Sequence, residues 1–290
     1  MTERDNELRP LLFSIAYRMT GSVSESEDLV QETFLRLHEA DQRGTEIESR
    51  RAYACAVVTR LSIDHLRLAR VQREEYVGEW LPEPIVTDRS SAPEEQAELS
   101  DSLSMAFLVL LERLSPPERA VFLLREVFGY GFDEIAGLIG KSETNCRQLA
   151  VRARRHVHEG QPRFESSIEK RWALAERFFA AIQVGDTDGL AGLLAEDVVL
   201  YADGGGKTAA RRHPLRGARK AVRVLTQGFR RFSMEQISLV LADVNGQPGA
   251  IAKDSSGRTV AVLSLDIVDD RVYAMRAVAN PDKLEHVSVR

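Results

Sequence analysis

The chain has 290 residues with a net charge of −5, 43% of them hydrophobic and 29% charged, the balance of an ordinary soluble protein. That length suits two or three domains. No apolar run approaches the roughly 18 residues of a membrane span. The start, MTERDNELRP, has no apolar leader core, so the expectation is a cytoplasmic protein without a membrane partner. The only cysteines, Cys55 and Cys146, each sit in an apolar helical pattern and read as small buried hydrophobes rather than a disulfide or a metal site. The weak total charge hides local patches: arginines crowd at residues 50–73 and 147–155, acids at 79–101. Patches, not totals, set the field that a phosphate backbone feels.

Residues 8–73 read as all helix. Leu8, Leu11, Leu12, Ile15 and Met19 form one apolar stripe, stopped by Gly21. A second helix is expected to open on the capping-box pattern Ser24-x-x-Glu27 and to run through DLVQETFLRLHEA. A third repeats apolar residues at Ala54, Val57, Val58, Leu61 and Leu68. It also carries Arg60, Asp64, Arg67 and Arg70, with Tyr53 and Tyr76 at its flanks. Basic residues near aromatics can hold phosphates and stack opened bases, and Asp64 can orient Arg60 or Arg67. A surface helix with ordinary salt bridges fits that pattern equally well. The prolines at 82, 84 and 93, set among acids, mark a linker.

Residues 100–158 are helical again. Ser115-Pro-Pro-Glu118 supplies a cap, a first-turn proline and a carboxylate reaching back. Gly129 and Gly131 end that helix. Phe132, Ile135, Ala136 and Ile139 face one side of a short helix that Gly140 closes, and Ser142 can cap the next one. On that last helix Cys146, Leu149, Ala150, Ala153 and Val157 share one side. Thr144, Gln148, Val151 and Arg155 share the other, flanked by Arg147 and Arg152. This order is that of a helix-turn-helix whose second helix offers donors to base edges and phosphates in a major groove.

SESEDLVQETFLRL, RAYACAVVTRLSIDHLRLAR and LSPPERAVFLLREVFGYGFDEIAGLIGKSETNCRQLAVRARR, in that order, resemble the bacterial extracytoplasmic-function sigma factors of the sigma-70 class. The resemblance implies that Asp28, Gln31, Glu32 and Phe34 dock on the β′ clamp of core RNA polymerase, whose β flap is a further partner. It implies that Arg60, Asp64, Arg67 and Arg70 serve the minus-ten promoter element. The residues implied for the minus-thirty-five element are Ser142, Thr144, Arg147, Gln148, Val151, Arg152 and Arg155. Many members have an asparagine shortly before the position of Asp64; here the run is Thr59-Arg60-Leu61.

From residue 168 the pattern changes to two or three helices and then alternating runs at 237–244, 250–253, 259–266 and 272–279, parted by DSSGR and DDR, an antiparallel meander. WLPEP (Trp80, Leu81, Pro82), DGGGK (Asp203, Gly204, Gly205, Gly206, Lys207) and NPDKL (Asn280, Pro281, Asp282, Lys283, Leu284) resemble the sigma-factor group with a fused SnoaL-like C-terminal domain. The resemblance implies that these thirteen residues make regulatory contacts between domains, and that the extension stands in for a separate anti-sigma factor. GGGKT is not a phosphate loop, because the position five before Gly206 is Tyr201. Asp203 and His213 lack evident catalytic partners, and His156 and His158 have the wrong spacing to share a metal, so no catalytic residue, metal or cofactor is expected.

The expected fold is therefore two all-α domains that bind DNA and polymerase, the second a helix-turn-helix, plus an α+β SnoaL-like cone-shaped barrel. The expected divisions are 1–76, a linker at 77–99, 100–160 and 166–290. The leading function is a promoter-directing sigma factor modulated by its own C-terminal domain. The alternatives are a ligand-responsive helix-turn-helix regulator and a SnoaL-like enzyme with a DNA-binding appendage. An unidentified small-molecule ligand of the C-terminal domain is left open: a polar-lined open cavity would favour sensing, a filled one a mechanical role.

Overall fold

The computed structural model describes residues 3–87, 102–158, 167–234 and 236–287, and the side chains of all of these but 3–5, 70–74, 158 and 229–234. Two compact units form: Met1–Glu75 with Leu108–Gln161, and Tyr76–Phe107 with Pro162–Arg290.

The first unit is helical. Helix α1 (Glu3–Thr20) buries Leu12, Ile15, Ala16 and Met19 along one stripe. Each fully buried aliphatic side chain contributes about 1.5–3 kcal/mol. Helix α2 (Val23–Gln42) starts two residues earlier than its sequence pattern suggests. Its cap is Ser22, whose hydroxyl accepts from Glu25 N–H at 3.2 Å, and Ser24 lies already inside the helix. Helix α3 (Arg50–Glu74) completes the first bundle. Helix α4 (Met105–Leu111), whose residues up to Phe107 are counted with the second unit, and α5 (Pro116–Phe122) follow, and α5 runs on into a π-helical turn at Leu123–Val127. The Glu118 carboxylate reaches back to the Ser115 N–H at 3.0 Å, as the SPPE pattern suggests.

Helix α6 (Phe132–Ile139) ends on Gly140 at φ 66°, a left-handed position that favours glycine. Helix α7 (Glu143–His158) follows, with Ser142 Oγ accepting from Asn145 N–H at 3.3 Å. Buried Arg119 gathers the unit. It donates to Met19 O at 2.5 Å and Leu111 O at 3.0 Å and pairs with Glu112 at 2.8 Å. A buried guanidinium is tolerated when its donors are met in this way.

The second unit is α+β. Helices α8 (Ile168–Val184) and α9 (Thr187–Leu193) lead into β2 (Leu194–Asp203), and helix α10 (Ala218–Met234) follows the short β3 (Leu215–Arg216). Then come β4 (Ser238–Val244), β5 (Gln247–Lys253), β6 (Thr259–Val268) and β7 (Arg271–Val278). With β1 (Val86–Thr87) at one edge, the sheet order is β1-β4-β5-β6-β7-β2-β3, antiparallel except for the β2–β7 pair. Phe178, Leu190, Val198, Leu263, Leu265 and Met275 lie in the core between the sheet and the helices.

The expected barrel does not form. The edges β1 (Val86–Thr87) and β3 are two residues long and do not pair with each other, so the sheet is open. Bulges between Leu194 and Val199, Ala252 and Lys253, and Asp266 and Ile267 interrupt its register. Such bulges bend a sheet locally. The meander matches the four alternating runs, but β2 carries no such alternation because exposed Glu196 and Asp197 occupy its bulge.

Candidate functional site

Within the second unit, the three short motifs and the chain from Tyr76 onward meet at one buried carboxylate. Asp203 ends β2 and is 0% exposed. It accepts from Tyr76 OH at 2.5 Å, Leu81 N–H at 2.9 Å, Gly205 N–H at 3.0 Å and Lys283 Nζ at 2.7 Å. Lys283 comes from the 3₁₀ turn Pro281–Lys283. Its ammonium also donates to Leu81 O at 2.5 Å and lies 4.3 Å from the Trp80 ring centroid and 4.9 Å from that of Tyr76. Charge-assisted bonds and two aromatic faces compensate the desolvation of this pair.

The turn between these groups requires glycine. Gly205 and Gly206 have φ of 57° and 71°, and a Cβ on Gly205 would collide with the Asn280 amide. Asn280 donates to Tyr76 OH at 3.0 Å, and Lys207 pairs with Asp282 at 2.6 Å on the surface. Pro82 and Leu284 are buried, while Pro281 is exposed. Gly204 leaves no room for a Cβ beside Thr208 and Ala210.

Tyr76 does not take the base-stacking place its sequence position suggests. Its phenol is spent on Asp203, and burial together with that carboxylate pushes its pKa well above the ordinary 10.0. Asn245, absent from the sequence reading, holds the same segment further along. It accepts from Ile85 N–H at 3.0 Å, its own N–H donates to Ile85 O at 2.8 Å, and its amide donates to Leu103 O at 2.9 Å. It sits at φ 55° in a DVNGQ turn, the one sequence signal that could have singled it out. The linker stretch is thus built into the second unit over residues 76–87; the expected linker residues 88–99 lie outside the described ones. His213 is exposed, and no cluster of metal-ligating residues occurs among the described residues.

In the first unit, α7 has two faces. Cys146, Ala150, Ala153 and Val157 are buried, whereas Thr144, Arg147, Gln148, Val151, Arg152 and Arg155 are exposed, Val151 to 65%. Ser142, at the cap, is exposed too. Arg147 pairs with Glu143 at 2.5 Å and lies 4.8 Å from the Phe132 ring centroid, so its guanidinium is steered across the start of α6.

On α2, Asp28 and Gln31 are exposed and Glu32 pairs with Arg36 at 2.8 Å. Phe34 is half-buried and turned off their face. Leu35, 59% exposed, completes an i, i+3, i+4, i+7 stripe with 28, 31 and 32. On α3, Asp64 pairs with Arg67 at 2.9 Å and not with Arg60. Arg60 instead donates to Leu138 O and Gly137 O of α6, each at 2.8 Å. The side chain of Arg70 lies outside the described ones.

Residues 6–71 match the family model for sigma-70 region 2, and residues 104–157 that for sigma-70 region 4. The chain is 37% identical to the ECF RNA polymerase sigma factor SigJ of Mycobacterium tuberculosis, over 95% of this chain and 90% of that protein. It is 33% identical to the probable ECF RNA polymerase sigma factor SigI of the same species, over 96% and 92%. The chain belongs to the ECF RNA polymerase sigma factors.

In this sigma factor the region 2 match falls on α1–α3 and the region 4 match on α4–α7. The crystal structure of M. tuberculosis SigJ superposes with a TM-score of 0.75 at 35% identity, covering 96% of each chain. The likeness therefore extends through the C-terminal α+β unit. No described helix of the sigma factor is long and apolar enough to cross a membrane.

Proposed function

We propose that this ECF sigma factor is modulated by its own C-terminal SnoaL-like unit through the segment that follows α3, with no separate anti-sigma factor. Supporting this is the Asp203–Lys283 pair, which clasps Leu81 through both its N–H and its carbonyl. A clasp on the chain that leaves α3 restricts where the two DNA-reading modules can be carried.

In this reading Asp28, Gln31, Glu32 and Phe34, joined by the exposed Leu35, meet the polymerase β′ clamp, and the helix-turn-helix approaches the β flap. Arg67, Asp64, Arg70 and, once released from α6, Arg60 serve the minus-ten element. The exposed face of α7, from Ser142 and Thr144 to Arg155, serves the minus-thirty-five element. Arg147, Gln148, Val151 and Arg152 stand at its centre.

Run-off transcription with core polymerase tests the modulation. A chain ending after Ala279 loses Lys283 and Asn280 and is expected to initiate more strongly than the full chain. A chain lacking the whole C-terminal unit is expected to lose or alter its activity. Equal initiation from the full chain and the tail-less chain would defeat the reading.

A further inference from the structure

The inner face of the C-terminal sheet encloses a cavity of about 510 Å³ against α8 and α10. Its origin is visible in the strand residues. Deep in the unit the inward positions hold Leu263, Leu265 and Met275, which fill the space. Toward the open end they are Ala261, Ala277 and Ala279, which do not. The walls are apolar, so the cavity is open without being polar-lined. Polar side chains gather at the rim: Arg211, Arg258 and Asp254. Asp254 pairs with Arg258 at 3.1 Å, and among the described residues no acid pairs with Arg211, so the rim carries one net positive charge.

We propose that this cavity binds a small molecule with an apolar body and a carboxylate head, the body against Leu200, Leu263 and Met275 and the head at Arg211. The volume lies within the roughly 300–1,000 Å³ of small-molecule sites and is too small for a docked helix. A mostly apolar wall with one net positive charge at the mouth selects an amphipathic ligand, because the body is desolvated while the head stays near water.

The site adjoins the clasp, and this part of the inference rests on the modulation reading above. Leu200, Tyr201 and Ala202 line the cavity and lead directly into Asp203. Ala279 also lines it, precedes Asn280, and donates its N–H to Asp203 O at 2.7 Å. Thr208 and Ala210 face the cavity and crowd Gly204. An occupant therefore bears on both chain ends that hold Leu81.

The test is a fluorescence titration of the full chain with cis-parinaric acid, a fluorescent long-chain carboxylate, and with its methyl ester. Saturable binding of one molecule per chain is expected. Ala277→Phe fills the cavity and is expected to weaken binding by at least about tenfold. Ala261→Leu provides the same reading if that variant fails to fold. Arg211→Ala is expected to weaken the acid about two- to fivefold and leave the ester unchanged.

No saturable binding to the unsubstituted chain, or equal binding by a folded cavity-filling variant, overturns the site. Hydrogen exchange at the Leu81 amide reads the coupling and is expected to change on saturation. Unchanged exchange at saturation overturns the coupling alone. Neither result depends on transcription by the tail-less chain, which tests the modulation itself.

Discussion

Lys283 Nζ lies 2.7 Å from Asp203 Oδ2, both groups buried, and the same ammonium holds Leu81 O at 2.5 Å. Residues 202 positions apart in the chain are thereby joined at one point. Removing one member of such a pair leaves an uncompensated buried charge, a loss of about 3–5 kcal/mol. Lys283→Met and Asp203→Asn should each lower the unfolding midpoint of the C-terminal unit in urea. The double variant should lose clearly less than the sum, since no lone charge remains. Strict additivity would show that the two groups do not act as a pair.

The phenol of Tyr76 adds a pH dependence. Its folded pKa is raised above the ordinary 10.0 by burial and by Asp203, so its contribution is complete below that value. As pH rises past it, the unfolded chain loses the proton first, and the contribution falls until the folded group also ionises. Stability near neutral pH should therefore be flat with respect to this group. A decline above pH 10.0 should be present in the native chain and smaller in Tyr76→Phe. Thermal unfolding followed across alkaline pH for the two chains measures the difference.

Arg60 is committed to two α6 carbonyls within the first unit. Hydrogen bonds from a charged donor are worth about 1.5–3 kcal/mol. Arg60→Ala should speed amide exchange in α6 of the free chain, with α1 unchanged. If Arg60 also serves the minus-ten element, the same variant should slow promoter opening once polymerase is bound. Unaltered α6 exchange would mean that the two carbonyl contacts carry no weight in solution.

On the exposed faces, single side chains can be removed without disturbing the core. Gln148→Ala and Arg147→Ala should each weaken promoter binding by the polymerase complex by about 1–3 kcal/mol, the usual cost of one base contact. An equal loss on every promoter sequence would show that the residue holds phosphate only. Leu35→Asp should weaken association with core polymerase while leaving the melting temperature of the free chain unchanged, because Leu35 is 59% exposed.

Much of the helical half was legible in the residues. The apolar stripes of α1 and α7, the Ser115 cap and the Gly140 turn depend on neighbours within one or two turns of helix, and local pattern suffices for them. Less was legible where distant groups compete. The partner of Asp64 could be Arg60 or Arg67 by spacing alone; the carbonyls of α6 took Arg60. Phe34 is the conspicuous residue of its motif, yet helical phase puts Leu35 on the face with Asp28, Gln31 and Glu32. Tyr76 next to arginines looks like a base-stacking residue until Asp203 is found beside it.

The kind of protein can be read from the residues alone: two helical modules in order, the basic face of the helix-turn-helix, and three short motifs that belong together. Local periodicity and capping carry that information, since each depends on residues close in the chain. The folded chain adds that the C-terminal sheet stays open and that Asp203, Lys283, Trp80 and Tyr76 converge. It alone decided that alanines leave a cavity behind them. Edge-strand pairing, buried charge compensation and empty volume are properties of surfaces brought together from far along the chain, and no local pattern encodes them.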